Sequence, residues 1–256
     1  LLVFASPVYE TEAVAAALTR FFPGIPHAGG TTAGEIGPNG IVDGSIVIMV
    51  FPRDGFRVVS ALLPDLKALS VDRTSDIVRG LRAQLAQKLD DETSGSTFGL
   101  TFLDGMSHRE ERILVSLQRG LDHIPLVGGS CADGLSFGDT YVIHEGRAIS
   151  GAGVLVLINT DRPFQLVRSD NFEPMAKKLV VTACDEERRI DREIDAEPAA
   201  TAYAEAMQIE ADHLDPMAFA SHPVLVRVGG EYYCRSIQKQ NPDGSLADKV
   251  LLRTHT

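Results

Sequence analysis

The chain has 256 residues, 44% of them hydrophobic and 23% charged, at a mean hydropathy of +0.02. That balance excludes wholesale disorder, a fibre or a disulfide scaffold, and leaves one large domain or two modest ones. Thirty-five acidic against twenty-four basic residues give a net charge of −11, which disfavours nucleic acid and an anionic membrane surface as partners.

Leu1–Ala5 reads as a strand, and with no initiator Met or leader pattern the chain reads as a piece whose native start lies upstream. Val14, Leu18 and Phe22 then fall at i, i+4 and i+8 on one helical face. A loop from Ile25 to Ala33 centred on Gly29 and Gly30 follows. The apolar run Ser45–Phe51 is far short of the roughly 20 residues of a membrane-spanning helix. It reads instead as a strand buried on both faces. Pro52–Gly55 looks like a hairpin join to a strand at Phe56–Val59, which makes the sheet mixed. Asp72–Leu89 carries Ile77, Leu81, Leu85 and Leu89 at successive i+4 steps, an amphipathic helix ended by the polar loop Glu92–Ser96. Ser107 and Glu110 have capping-box spacing at the head of another helix.

Sliding the chain against itself by 99 residues exposes an internal repeat. Ile25–Ala33 falls on Ile124–Ala132, and Leu2–Ala5 on Thr101–Asp104. Glu12, Val14, Leu18 and Phe22 fall on Glu111, Ile113, Leu117 and Leu121. After an insertion of about eight residues, Gly44–Phe51 falls on Gly151–Ile158 and Phe56–Val59 on Phe164–Val167. Each copy reads strand, helix, Gly-Gly loop, strand, strand. The expected fold is α/β with α+β character: a duplicated domain over residues 1–174, with copies at about 1–63 and 97–170, in which mixed sheets are covered by helices. Residues 175–256 read as a smaller, incomplete α+β module. Its elements are a strand at Leu179–Ala183, a charged turn or edge at Glu186–Glu193 and a helix at Pro198–Met207. A hairpin of Val224–Val228 with Tyr232–Ile237 around Gly229 and Gly230, and a strand at Val250–Arg253, complete it.

Consecutive glycines let backbone approach a ligand, and the hydroxyls after them can face a polar or anionic molecule. If a pseudo-twofold relates the copies, Gly29, Gly30, Thr31, Thr32 and Glu35 face Gly128, Gly129, Ser130, Cys131 and Asp133 across one cleft. The alternative is that each Gly-Gly is a tight turn. Neither loop has a phosphate-binding fingerprint. Asp104 and Ser107 sit where a strand end meets a helix start, a usual ligand position in α/β sheets, with plain capping as the alternative. Arg235 lies in an apolar hairpin and needs a buried carboxylate or an anionic ligand group. Cys131, Cys184 and Cys234 are far apart and form no Cys-x-x-Cys pair, so a reducing compartment is expected and neither a structural zinc nor any other metal site is. Two rival readings stand beside a non-enzymatic binding module. One is a thiol enzyme using Cys131 as nucleophile. The other is a haem sensor ligated by a single histidine, His27, His108 or His144.

Gly30–Ile36 is similar to the first glycine signature of the FIST family of intracellular signal-transduction sensors, with Gly30 where the family commonly has Cys. Val127–Gly134 resembles its second glycine motif, Glu193–Tyr203 its linker, and Val224–Ser236 its C-terminal hairpin with the Arg; the family's C-terminal part runs beyond the position of Thr256, so that part reads as shortened here. The resemblance implies a cytoplasmic sensory module that binds an amino acid or another small metabolite. It also implies transmission to a separate signalling protein such as a histidine kinase, a cyclase or a chemotaxis receptor. Some family members are haem-based nitric oxide sensors, but no resident cofactor is expected here. Together these readings predict a ligand held in a cleft between the duplicated domain and the C-terminal module, contacted by the glycine loops and Arg235, without nucleic-acid or membrane insertion.

Overall fold

The computed structural model describes residues 1–89, 95–134, 138–167, 172–185, 188–228 and 230–248. The expected strand at Val250–Arg253 lies outside them, as do parts of the predicted loops at 92–96 and 186–193. The chain divides into two units, residues 1–167 and 168–256.

The first unit contains β1 (Leu2–Ala5), α1 (Thr11–Phe21), β2 (Ala28–Thr31), β3 (Glu35–Gly37), β4 (Gly40–Val42), β5 (Ile46–Met49) and β6 (Phe56–Leu63). After these come α2 (Val71–Ala86), β7 (Ser96–Leu103), α3 (Glu110–Leu121), β8 (Leu126–Ser130), β9 (Val142–His144), β10 (Arg147–Ile149) and β11 (Gly153–Thr160). One sheet has the order β10-β9-β2-β1-β5 and a second β6-β11-β7-β8, while β3 and β4, among the described residues, pair only with each other. β1 and β2 are parallel, as are β7 and β8. The remaining contacts in both sheets are antiparallel, so the sheets are mixed.

The two sheets face each other across one apolar layer. Leu2, Phe4, Ala28 and Val142 of the first meet Val58, Phe102, Val154, Val156 and Ile158 of the second. On the far side of the second sheet, Leu155 and Leu157 pack on Val78, Leu81 and Leu85 of α2 and on Ile113, Leu117 and Leu121 of α3. The far side of the first receives Ala15 and Leu18 of α1 on Val3, Ala5 and Ile143. The i+4 apolar spacings therefore become the covered faces of helices in a four-layer arrangement. Glu10 caps α1 by accepting from Ala13 N at 2.7 Å, and Ser70 caps α2 by accepting from Arg73 N at 3.2 Å.

Several expected details differ. The strand buried on both faces is β11, every residue of which is buried because it is flanked by β6 and β7 along its whole length. β5 is instead an edge strand with Ile46 and Met49 exposed. Pro52–Gly55 does not close a hairpin, since β5 pairs with β1 in one sheet and β6 with β11 in the other. Phe164–Val167 forms no strand; Phe164 stacks on Phe98 with ring centroids 4.7 Å apart. The box at Ser107 and Glu110 does not form either. α3 starts at Glu110 with no side-chain cap, and Ser107 Oγ donates to Asp104 O instead.

The second unit comprises β12 (Val181–Asp185), β13 (Ile190–Ile194), β14 (Glu197–Pro198), α4 (Ala199–Met207), a 3₁₀ turn at Ala211–His213 and α5 (Pro216–Ser221). β15 (Val224–Val228), β16 (Glu231–Arg235), β17 (Ile237–Gln240) and β18 (Leu246–Asp248) follow. β12-β13-β18-β17 form one sheet, with β14 beside β13, and β15 pairs with β16. Small alanines let α4 sit close to β13, and Tyr203 fills the centre of this unit's core against Phe219.

Tyr203 Oη donates to His222 O at 2.6 Å, and burial pushes its phenol up to about 12. Because the folded value lies above the ordinary 10, the stability contributed by the neutral phenol is whole below pH 10. It is lost as pH rises from about 10 towards 12. Tyr203→Phe is therefore expected to cost about 1 kcal/mol at pH 8 by removing the hydrogen bond, and to flatten the alkaline loss. Urea unfolding of both proteins at pH 8 and pH 11 reads the two effects.

Candidate functional site

At the first glycine of each motif the parallel partner strand comes so close that a side chain has no room. A Cβ at Gly29 would run into Val3 O, and one at Gly128 into Thr101 O. Gly128 also has φ +151°, a value side-chain-bearing residues avoid. Both glycines are thus imposed by strand packing. The second glycines differ from one another. A Cβ at Gly30 would strike Cys131 Sγ and lie 2.9 Å from Tyr141 O, whereas one at Gly129 meets nothing within 4 Å.

Gly30 is therefore where the two motifs touch. The described parts of the link between β8 and β9, residues 131–134 and 138–141, bond to the C-terminal ends of β7 and β2. Cys131 N donates to Leu103 O at 2.6 Å, and Ala132 N to Thr31 O at 2.9 Å. Thr31 N donates to Tyr141 O at 2.9 Å, and Tyr141 N to Thr31 Oγ1 at 3.2 Å. Thr32 N reaches Ala5 O at 3.0 Å, so Thr31, Thr32, Ser130 and Cys131 form one cluster.

The surrounding carboxylates are held by built-in donors. Glu35 is buried; its Oε1 accepts from Thr32 Oγ1 at 2.6 Å, and its Oε2 from Ser45 N and Oγ at 3.1 and 2.8 Å. Asp104 is buried as well, accepting from Met106 N at 2.7 Å, Thr140 Oγ1 at 2.8 Å, Ser150 Oγ at 3.1 Å and Gly151 N. Asp104 thus ties Thr140, just before β9, and Ser150 and Gly151, just before β11, to the end of β7, and Ser107 folds back on its carbonyl at 2.8 Å. Asp133 accepts from Gly138 N, and Ser130 Oγ lies 3.4 Å from Glu110 Oε1. Thr140, Tyr141, Ser45 and Glu110 belong to this neighbourhood without having been singled out. The inserted length after Cys131 was the available signal, since a longer link in one copy has to lead somewhere.

Arg235 belongs to the second unit, on β16 opposite Val224. Its Nη1 donates to Cys234 O at 3.2 Å, and its Nε is buried with no hydrogen-bond partner among the described residues. His27 is buried with both ring nitrogens engaged: Nδ1 donates to Ile25 O at 3.1 Å and Nε2 accepts from Gly146 N at 2.7 Å, which fixes a neutral tautomer. His144 Nε2 lies 3.1 Å from Ser60 Oγ, and burial lowers its pKa against the opposing pull of Glu145. Among the described residues no three His, Cys, Asp or Glu side chains are grouped to hold a metal ion. A cavity of about 880 Å³ opens at the N-terminal ends of β1 and β2, lined by Ile25, Pro26, Phe51, Phe56, Arg57 and Lys88. It contains none of the residues singled out above.

A family model, the FIST N domain, matches residues 1–197. The match continues past residue 167 into β13 and β14 of the second unit. The chain is also similar to the uncharacterized protein MJ1623 of Methanocaldococcus jannaschii, at 25% identity over 215 residues. Those residues are 81% of this chain and 40% of that relative, so the chain matches less than half of the relative's length.

Gly30→Ala is expected to destabilise the fold by about 1–3 kcal/mol through the contact with Cys131 and Tyr141. Gly129→Ala should stay within about 0.5 kcal/mol of the parent, both read by urea unfolding at low protein concentration. Cys131 is only 2% exposed while Cys234 is exposed. Iodoacetamide should therefore modify Cys234 in the native protein and Cys131 only in denaturant, as peptide mass spectrometry would show. Rapid native labelling of Cys131 would restore the thiol-enzyme reading.

Proposed function

From the premise that the chain belongs to the FIST family, whose domains are sensory rather than catalytic, we propose that it is a non-enzymatic receptor module for a small metabolite bearing an ammonium group, an amino acid first of all. The observation that carries this reading is the meeting of the two glycine motifs at the C-terminal ends of β1, β2, β7 and β8, the position where parallel strands usually present ligands. Thr32, Ser130 and Asp133, with the amides around them, are the proposed contacts. Gly29, Gly30 and Gly128 serve by letting the backbones close up.

The charge at this end refines the ligand class. Glu35, Asp104, Glu110 and Asp133 gather there, and α3 carries Glu110 and Glu111 in its first turn. A bare anion would approach several negative groups, whereas an ammonium group would be drawn to them and a carboxylate on the same molecule could take the loop amides. The reading therefore favours a zwitterion over a purely anionic metabolite.

No helix among the described residues is long and apolar enough to cross a membrane. We infer a cytoplasmic module reporting to a signalling protein such as a histidine kinase, a cyclase or a chemotaxis receptor. Ligand would act on that partner only through its differential affinity for two states of the module.

Thermal unfolding against amino acids, simple amines and organic acids tests the reading. A ligand at a hundred times its Kd stabilises the native state by about 2.7 kcal/mol, and Ser130→Ala should shrink that shift. Shifts confined to organic acids would overturn the ammonium preference, and none from any panel member would overturn the site.

A further inference from the structure

We infer that β8 is a docking edge for the β3–β4 hairpin of a second copy of this chain, so that two chains exchange hairpins reciprocally and form a dimer. The inference rests on strand pairing, independently of the ligand reading.

Two hairpins of the first unit are built alike. β3 and β4 pair Glu35 with Val42, Ile36 with Ile41 and Gly37 with Gly40. β9 and β10 pair Val142 with Ile149, Ile143 with Ala148 and His144 with Arg147, the same register 107 residues later. The strand sets beside them match too. β1 pairs with β2 and β5 as β7 pairs with β8 and β11, with Ala5 opposite Thr31 and Ile46, and Leu103 opposite Ser130 and Gly153.

What differs is where the hairpins go. β9 lies along the outer edge of β2, pairing Val142 with Gly30, Ile143 with Gly29 and His144 with Ala28. Among the described residues the corresponding outer edge of β8 has no partner, and β3–β4 is joined to no other strand. The surroundings of the second glycines differ as well. Beside Gly30 stand Cys131 Sγ and Tyr141 O, and beside Gly129 there is open space.

The side chains repeat the mismatch. Ile143 is fully buried against Ala15 and Leu18 of α1. Its counterpart Ile36 is 77% exposed, with Ile41 beside it at 76%. On α3 the counterpart of Ala15 is Leu114, which is 40% exposed. An apolar hairpin without a sheet and a sheet edge without a hairpin are complementary surfaces, and an unpaired edge is a ready template for strand addition.

The occupant is a second copy because of the links. Residues 131–141 carry the chain from β8 to β9, whereas β2 reaches β3 through residues 32–34 alone, a span of about 10 Å when extended. Glu35 is further tied to Thr32 and Ser45 beside its own sheet. The hairpin is therefore held at the first sheet with its open edge outward, where the β8 edge of another chain meets it. In the resulting pairing Glu35, Ile36 and Gly37 of one chain lie opposite Gly129, Gly128 and Val127 of the other, and Ile36 covers Leu114. When the chain that receives a hairpin also gives its own to the same partner, the exchange is reciprocal and the assembly closes as a twofold dimer.

Sedimentation equilibrium of the full chain should give twice its 27.6 kDa. Gly129→Val adds a side chain into open space and should keep the parent far-UV circular dichroism while weakening the dimer at least about tenfold, as should Ile36→Lys on the exposed hairpin. Mixing the two variants leaves one intact hairpin–edge pair and should recover part of the association. A monomeric parent, a dimer indifferent to both substitutions, or a mixture no tighter than either variant alone would each overturn the inference. If Gly129→Val fails to fold, Ile36→Lys alone decides between weakening and no effect.

Discussion

Everything in the first unit depends on how closely two pairs of parallel strands approach one another. At Gly29 and Gly128 the neighbouring strand's carbonyl occupies the volume that any Cβ would need, so the pairing of β1 with β2 and of β7 with β8 exists only because those positions are glycine. Their close approach sets the strand ends from which Thr31 and Cys131 reach each other's segments. The crossing chain then joins the sheets through Cys131 N on Leu103 O, Ala132 N on Thr31 O, Tyr141 O, which accepts from Thr31 N, and Thr140 Oγ1, one of the four donors on Asp104. The apolar layer between the sheets is sealed at that end by polar groups that satisfy one another, which is what keeps a buried carboxylate tolerable.

Helix faces were legible in the sequence because apolar residues recurring every four positions have one reading. The glycine pair was legible as a pair, and so was a mixed sheet under helices. Which glycine did what was not, because the volume beside Gly30 is set by Cys131 and Tyr141, a hundred residues away. Ile46–Phe51 and Gly153–Thr160 are both apolar runs, yet only the second is central, and edge or centre is decided by neighbours the run does not contain. Pro52–Gly55 has turn chemistry, but a turn composition does not say whether the chain returns to the same sheet or passes to the one facing it. The 99-residue offset sets Leu2 on Thr101, whereas pairing with the first glycines makes Val3 the counterpart of Thr101. Small shifts of this kind vanish in a gapless comparison and matter once the strand faces alternate.

Charge followed a similar course. The overall −11 said only that polyanions are poor partners. Its distribution at one end of the strands, with Glu35, Asp104, Glu110 and Asp133 gathered around hydroxyls and amides, distinguishes between small ligands of opposite sign. Arg235, the one cation singled out in the sequence, resides in the second unit with its Nε buried and unpartnered among the described residues.

The exchange of strands between the sheets also bears on how the chain reaches its native state. β2 is completed by β9, with Ala28 opposite His144, and β11 by β6, with Thr160 opposite Phe56. Neither half of the first unit therefore owns all the strands of its sheet. A nascent chain that has emerged only as far as α2 holds β6 without β11 and β2 without β9, so pairing across about a hundred residues must precede the gain from the central apolar layer. Such separation in sequence makes for slow folding and for exposed strand edges meanwhile. Cutting the unit between α2 and β7 should yield two pieces that fold only in each other's company.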